Sequence, residues 1–240
     1  MTLLTNRCTL ITGASSGIGR ETALAFAEAG ANLVLIGRSA DRLEEVATKA
    51  RQQGVEVNTY SLDLAQVEQV REAIAQIAAR HPIDILVNNA GMGYTGALAE
   101  MPLADWQAVL NLNLTSVLLC IQAVLPGMRD RQQGTIINIA SIAGYASFPD
   151  WGAYSVSKAG LISLSKILAA EERPHGVRVV VISPGSVNTP IWDTDTVQAD
   201  FDRSKMLTPD VVAQSILHAA SLPSHAVIQE LTVMPSGGAL

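Results

Sequence analysis

The sequence alternates short runs rich in β-branched residues with longer amphipathic stretches rich in alanine, and this alternation is the strongest constraint on its fold. The short runs predict strands at Thr9–Thr12, Asn32–Ile36, Val55–Ser61, Ile83–Val87, Thr135–Ile139, Val177–Ile182 and Val227–Val233. The longer stretches predict helices at Gly17–Ala29, Ala40–Gln53, Val67–Arg80, Leu103–Arg129 and Ala153–Glu171, and one that starts at Pro209 after a Thr208 cap. Such alternation favours right-handed crossovers and a parallel sheet. We therefore expect one α/β domain over residues 1–240, a Rossmann-like doubly wound sheet of about seven strands with helices on both faces.

The composition fits such a buried sheet and argues against several other classes of protein. Hydrophobic residues make up 48% of the chain and charged residues only 16%, as expected when strands are covered on both faces. No stretch approaches the roughly 18 uninterrupted apolar residues of a membrane-spanning helix, so we expect no membrane contact. The net charge is −6 and no Lys/Arg cluster is present, which argues against nucleic acid as a partner.

The cysteines and the N-terminal segment add little. Cys8 and Cys120 lie in apolar contexts and are expected to be buried hydrophobic residues, with no disulfide framework and no metal site. The first residues lack a basic segment followed by a long apolar run, so we read no signal peptide and expect a cytoplasmic protein.

A glycine-rich turn joins the first predicted strand to the first predicted helix. Its pattern is Gly-x-x-x-Gly-x-Gly over Thr12–Gly19. Glycines permit a tight turn and a close approach to a pyrophosphate, while the helix N-terminus offers free N–H groups and partial positive charge. This context predicts a dinucleotide-binding loop. The expected contacts are Gly13, Ser15, Ser16, Gly17, Ile18 and Gly19.

The end of the second predicted strand bears on the choice of cofactor. Folds that bind NAD often carry an acid there for the ribose 2′-hydroxyl, but this chain reads Gly37-Arg38-Ser39. Arg38 could clamp a 2′-phosphate, so Arg38 and Ser39 favour NADP over NAD. The alternative is that Arg38 is an ordinary surface arginine and that Ser39 only caps the next helix.

A second group of polar residues suggests acid–base chemistry. Tyr154 and Lys158 are four residues apart in a predicted helix and so share one face. A neighbouring ammonium lowers the pKa of a tyrosine, which otherwise lies near 10. Ser141 follows a predicted strand, where its hydroxyl could bond a substrate oxygen. Asn113 lies inside a predicted helix, where an asparagine competes for backbone hydrogen bonds.

Taken together, these motifs resemble the short-chain dehydrogenase/reductase family over essentially the whole chain. The matching segments are Thr12–Gly19, Asp63, Asn88–Gly91, Asn113, Ser141, Tyr154, Lys158, Pro184-Gly185 and Thr189. The order and spacing of so many motifs is highly specific. Each segment taken alone has a plainer explanation: Asp63, for example, could be a turn or cap residue.

The resemblance implies roles for the catalytic residues. Tyr154 would donate a proton to a carbonyl oxygen as hydride arrives, or accept it in the reverse direction. Ser141 would hold the substrate oxygen. Lys158 would lower the pKa of Tyr154 and bond the nicotinamide ribose. Asn113 would support a water molecule that relays protons.

The resemblance also implies further cofactor contacts. Asp63 and Leu64 would meet the adenine, and Asn89, Ala90 and Gly91 would let the chain pass close to the cofactor. Pro184, Gly185, Val187 and Thr189 would surround the nicotinamide. Two positions depart from the family pattern. Ser16 stands where many NADP-preferring relatives carry a basic residue, and Ser116 stands where relatives often show glycine.

The segment 184–207 lacks clear periodicity and is expected to form a substrate lid. The apolar and aromatic candidates for the substrate pocket are Met92, Tyr94, Tyr145, Phe148, Trp151, Ile191 and Trp192. Arg203 and Lys205, at the end of the lid, could reach inward to a carboxylate.

The leading hypothesis is an NADPH-dependent oxidoreductase that interconverts a small-molecule ketone or aldehyde and its alcohol, a carbonyl reductase. A 3-oxoacyl or 3-hydroxy-acid dehydrogenase of the same family is a second hypothesis, although no basic docking patch is evident. A catalytically silent NADP-sensing protein is a third, against which the intact Asn, Ser, Tyr and Lys set argues. The resemblance also implies a homo-oligomer, a tetramer or a dimer.

Overall fold

The computed structural model describes residues 3–238, and its centre is a parallel sheet. Its seven strands are β1 (Cys8–Thr12), β2 (Asn32–Gly37), β3 (Val57–Ser61), β4 (Ile85–Asn88), β5 (Gly134–Ile139), β6 (Val177–Pro184) and β7 (Glu230–Val233). Their spatial order is β3-β2-β1-β4-β5-β6-β7, and every neighbouring pair is parallel. This confirms the predicted fold class.

Helices connect the strands, and their ends lie close to the predicted ones. They are α1 (Gly17–Glu28), α2 (Ala40–Arg51), α3 (Val67–Arg80), α4 (Leu103–Leu110), α5 (Ser116–Asp130), α6 (Gly152–Glu172) and α7 (Pro209–Ser221). Ser39 caps α2 as predicted, because its hydroxyl accepts from the Arg42 N–H at 3.4 Å. Thr208 occupies the N-cap of α7, and Pro209 its first turn.

The two faces of the sheet carry separate apolar cores. Helices α1, α2 and α7 cover one face, where Phe26, Leu43 and Ile216 are fully buried. Helices α3, α5 and α6 cover the other, where Ile74, Ile121 and Leu161 lie in the core. This arrangement accounts for the high apolar content, since the central strands are buried from both sides.

The stretch predicted as one helix over Leu103–Arg129 is continuous but not uniform. A π-helical turn at Asn111–Thr115 separates α4 from α5. By length and apolar composition Leu103–Asp130 could cross a bilayer. Its buried face, with Cys120, Ile121 and Val124, packs in the core beside α3, and this packing accounts for the same composition.

Two predicted strands are shorter than the sequence pattern suggested. β3 begins at Val57 and β7 at Glu230, so Val55 and Val227 lie outside the sheet. Both strands lie at the edges of the sheet, where pairing on one side only limits how far the ladder extends.

The order of the strands reverses between β1 and β4, in the middle of the sheet. From β1 the chain continues outwards through β2 and β3 on one side, and from β4 it continues through β5, β6 and β7 on the other. Ligands of open α/β sheets bind at such a switch point, beyond the carboxyl ends of the strands. The glycine-rich turn follows β1 and Asn88–Gly91 follows β4, so both lie at this edge.

Candidate active site

The loop after β1 can be built only with glycine at two of its positions. Gly13 has φ +66°, and a Cβ there would lie 2.9 Å from the Ala90 Cα. At Gly19 a Cβ would lie 2.3 Å from the Gly13 carbonyl oxygen, which is closer than real Cβ contacts come. The loop therefore folds back tightly against the segment after β4.

Thr12 and Asn89 hold these two segments together. The Thr12 hydroxyl accepts from the backbone N–H groups of Asn89 and Ala90, at 3.0 and 3.1 Å. The Asn89 amide donates to the carbonyls of Thr12 and Gly13, at 3.0 and 3.3 Å. These bonds fix the loop geometry before any ligand binds.

The N-terminus of α1 is suited to an anion. Ser16 occupies the N-cap, and within the described residues its side chain makes no capping bond to the first turn. Gly17 has φ +52°, and a Cβ there would lie 3.2 Å from the Thr189 Cγ2. A side chain at position 17 would fill this cradle, so the loop backbone and its N–H groups fit a pyrophosphate. The residues present therefore fit a dinucleotide.

Basic residues stand beside the phosphate loop. A cavity of about 550 Å³ is lined by Ser15 and Ser16 of the loop and by Arg20 and Arg42 of the two helices that flank it. Arg38 is exposed at the end of β2, where its carbonyl accepts from the Ser61 hydroxyl. Arg42 lies one turn into α2 and was not identified from the sequence. Lys49, Glu21 and Glu45 line the same cavity, and Arg20 pairs with Glu21, so Arg42 and Lys49 are its remaining basic groups.

The two residues predicted to meet the adenine, Asp63 and Leu64, follow β3. Asp63 follows β3 and accepts from the Ala65 N–H through Oδ1 at 3.0 Å, which fixes the turn. Leu64 beside it is buried. Both residues stand at the carboxyl edge of the sheet, on the β2–β3 side of the switch point.

Ser141, Tyr154 and Lys158 come together on the other side of the switch point. Ser141 lies close enough to Tyr154 for its hydroxyl to lower the pKa of the phenol, and Ser141 Oγ accepts from the Ala143 N–H at 3.1 Å. The Lys158 Nζ lies 5.7 Å from the Tyr154 ring centroid. It donates to the Ile139 carbonyl at 2.8 Å.

The electrostatics of the pair differ from the sequence expectation. Burial raises the pKa of Tyr154 above its ordinary value, and the hydrogen bond from Ser141 opposes this only in part. Burial lowers the pKa of Lys158 to about 8. The net effect of the surroundings on the Tyr154 pKa is therefore upward, opposite to the lowering expected from the spacing of Tyr154 and Lys158. Tyr154 therefore keeps its proton at neutral pH.

Asn113 has a structural reason for its place in a helix. It lies in the π-helical turn, a distortion that often marks functional sites. Its side chain is fully buried, accepts from the Met92 N–H and donates to the Met92 carbonyl, both at 2.9 Å. Its Nδ2 also donates to Ser157 Oγ at 3.1 Å. Asn113 thus fixes the loop after Gly91 against α6.

A row of aromatic rings extends from Tyr154 into residues 184–207, the segment predicted to be a substrate lid. Trp151 contacts Tyr154 edge to face, with ring centroids 5.4 Å apart. Trp151 also meets Trp192 at 5.7 Å, and Trp192 meets Phe201 at 5.6 Å. We call Trp151, Trp192 and Phe201 the aromatic wall. Phe201, in the same segment as the candidates Ile191 and Trp192, was not identified from the sequence.

The other pocket candidates are dispersed. Ile191 and Trp151 both lie 3.5 Å from where a Cβ on Gly93 would stand. Tyr94 donates its hydroxyl to Asp105, and Phe148 is partly buried before α6. Tyr145 is half exposed and donates to Glu230 on β7, because the short helical turn after Ser141 directs its ring outwards.

The lid is ordered and fastened to the loop after β4. Short 3₁₀ helices form at Pro190–Asp193 and Arg203–Lys205. The Thr95 N–H donates to the Thr196 carbonyl, and the Thr196 hydroxyl donates to the Gly93 carbonyl. Residues around Thr196 therefore pack against residues 93–95.

The lid begins at the end of β6, beside the predicted nicotinamide position. Pro184 ends the strand, and Gly185 donates to the Val233 carbonyl at 2.8 Å. Val187 is buried and forms a bridge with Leu207 at the base of the lid. Thr189 packs beside Gly17, so the start of the lid reaches the phosphate loop.

The arrangement defines an oxidoreductase with a dinucleotide loop and a Ser–Tyr–Lys set at one sheet edge. The model of the short chain dehydrogenase family matches residues 7–199. The chain belongs to this family.

Relatives and solved structures agree with this assignment. An uncharacterised oxidoreductase of Staphylococcus saprophyticus is 39% identical over 238 residues, which is 98% of this chain and 100% of the relative. A metagenomic short-chain oxidoreductase, solved in complex with NADP, is 32% identical with a TM-score of 0.85, and the match covers 98% of this chain and 99% of that one. An alcohol dehydrogenase of Thermococcus sibiricus, complexed with 5-hydroxy-NADP, is 30% identical with a TM-score of 0.87 over 96% and 97% of the two chains.

Proposed function

We propose that this oxidoreductase uses NADP(H) to interconvert a ketone or aldehyde and its alcohol, with Tyr154 as the general acid and base. The observation that carries the proposal is the neighbouring Ser141 and Tyr154 side chains, with Lys158 beside them, at the same sheet edge as the phosphate loop. A proton donor and an oxygen-binding hydroxyl are what carbonyl reduction requires of a protein.

A bound nicotinamide supplies the hydride for reduction or accepts it in oxidation. Ser141 and Tyr154 hydroxyls bind the carbonyl oxygen, and Tyr154 transfers its proton as negative charge develops there. Because burial raises the pKa of Tyr154, the proton that reduction requires is in place at neutral pH.

Lys158 acts after the proton has left. Its pKa of about 8 leaves it mostly protonated at pH 7. A cationic Lys158 stabilises the phenolate that forms when Tyr154 gives up its proton. Above about pH 8 Lys158 loses its charge, so we expect kcat for carbonyl reduction to fall as the pH rises through 8.

The substrate proposed is a medium-sized, mostly apolar carbonyl compound. The aromatic wall stands beside the Tyr154 ring and offers apolar surface to a substituent of the carbonyl carbon. The cations that could have held a carboxylate are engaged elsewhere: Arg203 pairs with Asp193, and Lys205 pairs with Asp202. This disfavours 3-hydroxy-acid substrates, which carry a free carboxylate.

The preference for NADP is proposed from charge. Arg38 ends β2 where NAD-specific folds place an acid, and Arg42 lines the cavity beside Ser15 and Ser16. A 2′-phosphate fits two guanidinium groups better than a 2′-hydroxyl does. Two similar solved structures contain NADP or a derivative of it, which supports the proposal.

The reaction is tested by following the absorbance of NADPH while the protein is mixed with each of a panel of ketones and aldehydes. Wild-type turnover that disappears in Tyr154→Phe, while NADPH binding stays intact, is the expected result. A variant that retains the wild-type rate would remove Tyr154 from its proposed role.

The test of cofactor choice compares the ratio of kcat/KM for NADPH and NADH in wild type, Arg38→Asp and Arg42→Asp. We expect both substitutions to lower the ratio by at least about tenfold, since each replaces an attractive charge with a repulsive one. Asp41→Asn, on the same helix, is the control. An unchanged ratio in both arginine variants would contradict the assignment.

A further inference from the structure

The centre of the lid is the guanidinium of Arg203. Its Nε donates to Asn188 Oδ1 at 2.9 Å, and its Nη2 donates to the Thr189 carbonyl at 2.9 Å. Nη1 donates to one carboxylate oxygen of Asp193, and Nη2 also reaches the other at 3.4 Å. We call residues 188–193 the outgoing limb of the lid and the stretch around Arg203 its returning limb. Arg203 on the returning limb thus holds three residues of the outgoing limb.

Two of these partners stand next to the phosphate loop. Thr189 Cγ2 lies 3.2 Å, and Pro190 Cδ 3.8 Å, from where a Cβ on Gly17 would be. Asn188 and Pro190 line the same cavity as Ser16. The bond from Arg203 to the Thr189 carbonyl therefore determines how closely the lid approaches the loop.

The third partner connects Arg203 to the substrate side. Asp193 ends the 3₁₀ helix that carries Trp192. The Trp192 indole donates to the Val187 carbonyl at 2.7 Å and contacts both Trp151 and Phe201. Holding Asp193 in place holds Trp192 in the aromatic wall.

The exposure of these groups separates a local role from a general stabilising one. The Arg203 side chain is 36% exposed and that of Asp193 is 61% exposed. Ion pairs this exposed contribute little to global stability. Bonds in a fixed fork geometry, one of them to a backbone carbonyl, nevertheless set position well.

We infer that Arg203 is a positioning residue that couples the dinucleotide site to the aromatic wall by locking the two limbs of the lid. It touches no reacting atom and acts through Thr189 on one side and Asp193 on the other. This inference rests on the proposed function for its nucleotide readout, and a second readout below is independent of turnover.

The first experiment titrates NADPH against wild type, Arg203→Gln and Arg203→Lys, followed by nucleotide fluorescence. We expect Arg203→Gln to raise the Kd about tenfold, the loss associated with one charge-assisted hydrogen bond network. KM for NADPH should rise in parallel while kcat stays within about twofold. Arg203→Lys should recover only part of the affinity, because a lysine keeps the charge but cannot bond Asn188, Thr189 and Asp193 together.

The second experiment is proteolysis by chymotrypsin under native conditions, with cleavage after Trp192 and Phe201 read by mass spectrometry. We expect Arg203→Gln and Asp193→Asn to be cut several-fold faster than wild type, because local opening exposes the lid without unfolding the sheet. The control is Lys205→Gln, which removes another lid cation whose ion pair with Asp202 does not involve residues 188–193.

Three outcomes would overturn the inference. One is wild-type NADPH affinity and wild-type cleavage in Arg203→Gln. Another is an equal effect in Lys205→Gln. The third is a fall in the urea unfolding midpoint of Arg203→Gln that accounts for the faster cleavage. If wild type binds no NADPH, the proposed function fails, and the proteolysis result alone then decides whether Arg203 locks the lid.

Discussion

Replacing Lys158 with methionine should remove a contribution to stability that increases between pH 7 and pH 10. Lys158 is 5% exposed, and burial lowers its pKa from 10.5 to about 8. At a pH between these two pKa values, the lysine holds its proton in the unfolded chain and has released it in the folded chain. The contribution of Lys158 to stability therefore increases with pH in this window.

The magnitude follows from the shift. A difference of one pKa unit corresponds to about 1.4 kcal/mol, so at pH 7 the buried ammonium costs about 3 kcal/mol of folding free energy. At pH 10 folded Lys158 is neutral, and the remaining cost is about 1 kcal/mol. Wild type should gain about 2.5 kcal/mol from this residue over the window.

The variant also loses the bond from Nζ to the Ile139 carbonyl. An unsatisfied buried carbonyl costs about 1–3 kcal/mol, but that cost does not depend on pH. The pH dependence of the difference between the two proteins therefore isolates the charge.

The assay is urea unfolding followed by circular dichroism at pH 7, 8, 9 and 10, on protein freed of nucleotide and at matched concentration. The control is Lys166→Met, because Lys166 is half exposed and pairs with Glu230 on the surface. The Lys166→Met variant should keep the wild-type dependence of the unfolding free energy on pH. If the free energies of wild type and Lys158→Met run parallel from pH 7 to pH 10, Lys158 is not buried as an uncompensated cation and the reasoning fails.

Three other substitutions test separate parts of the structure. Tyr154→Phe should lower kcat for carbonyl reduction by about 10²–10⁴, the usual contribution of a general acid, and steady-state rates beside an NADPH titration would show whether only chemistry is lost. Gly19→Ala should eliminate NADPH binding, because the new Cβ would lie 2.3 Å from the Gly13 carbonyl oxygen. The control Gly237→Ala should leave the Kd unchanged, because no atom of the described residues lies within 4 Å of a Cβ there. Arg129→Met should lower the free energy of unfolding at pH 7 by about 2–3 kcal/mol, since it leaves the fully buried Glu172 without its ion pair; a urea series with an effect below that of Lys166→Met would contradict it.

The periodic parts of the sequence were sufficient to predict the sheet and its helices. Buried strands and amphipathic helices differ in hydrophobic period, and that period is a local property. The same holds for the Gly13–Gly19 loop and for Tyr154 and Lys158, because one helical turn brings residues four apart onto one face. The ends of edge strands were less predictable, since pairing rather than composition terminates β3 and β7.

Contacts between segments distant in sequence were settled only by the tertiary structure. The sequence offered Arg203 as a group that could reach a substrate carboxylate, and the fold instead directs it to Asp193 and Thr189. Tyr145 was a pocket candidate, but the chain after Ser141 turns its ring towards Glu230.

Sequence by itself determined the class of fold, the sheet edge that carries the site and the residue types available for chemistry there. Only the tertiary structure determined the pKa values of those residues. The spacing of Tyr154 and Lys158 alone implied a lowered Tyr154 pKa. In the folded protein burial raises that pKa, and the Lys158 ammonium donates to the Ile139 carbonyl. A pKa depends on the solvent and dipoles that the whole fold places around a group, and no local pattern specifies them.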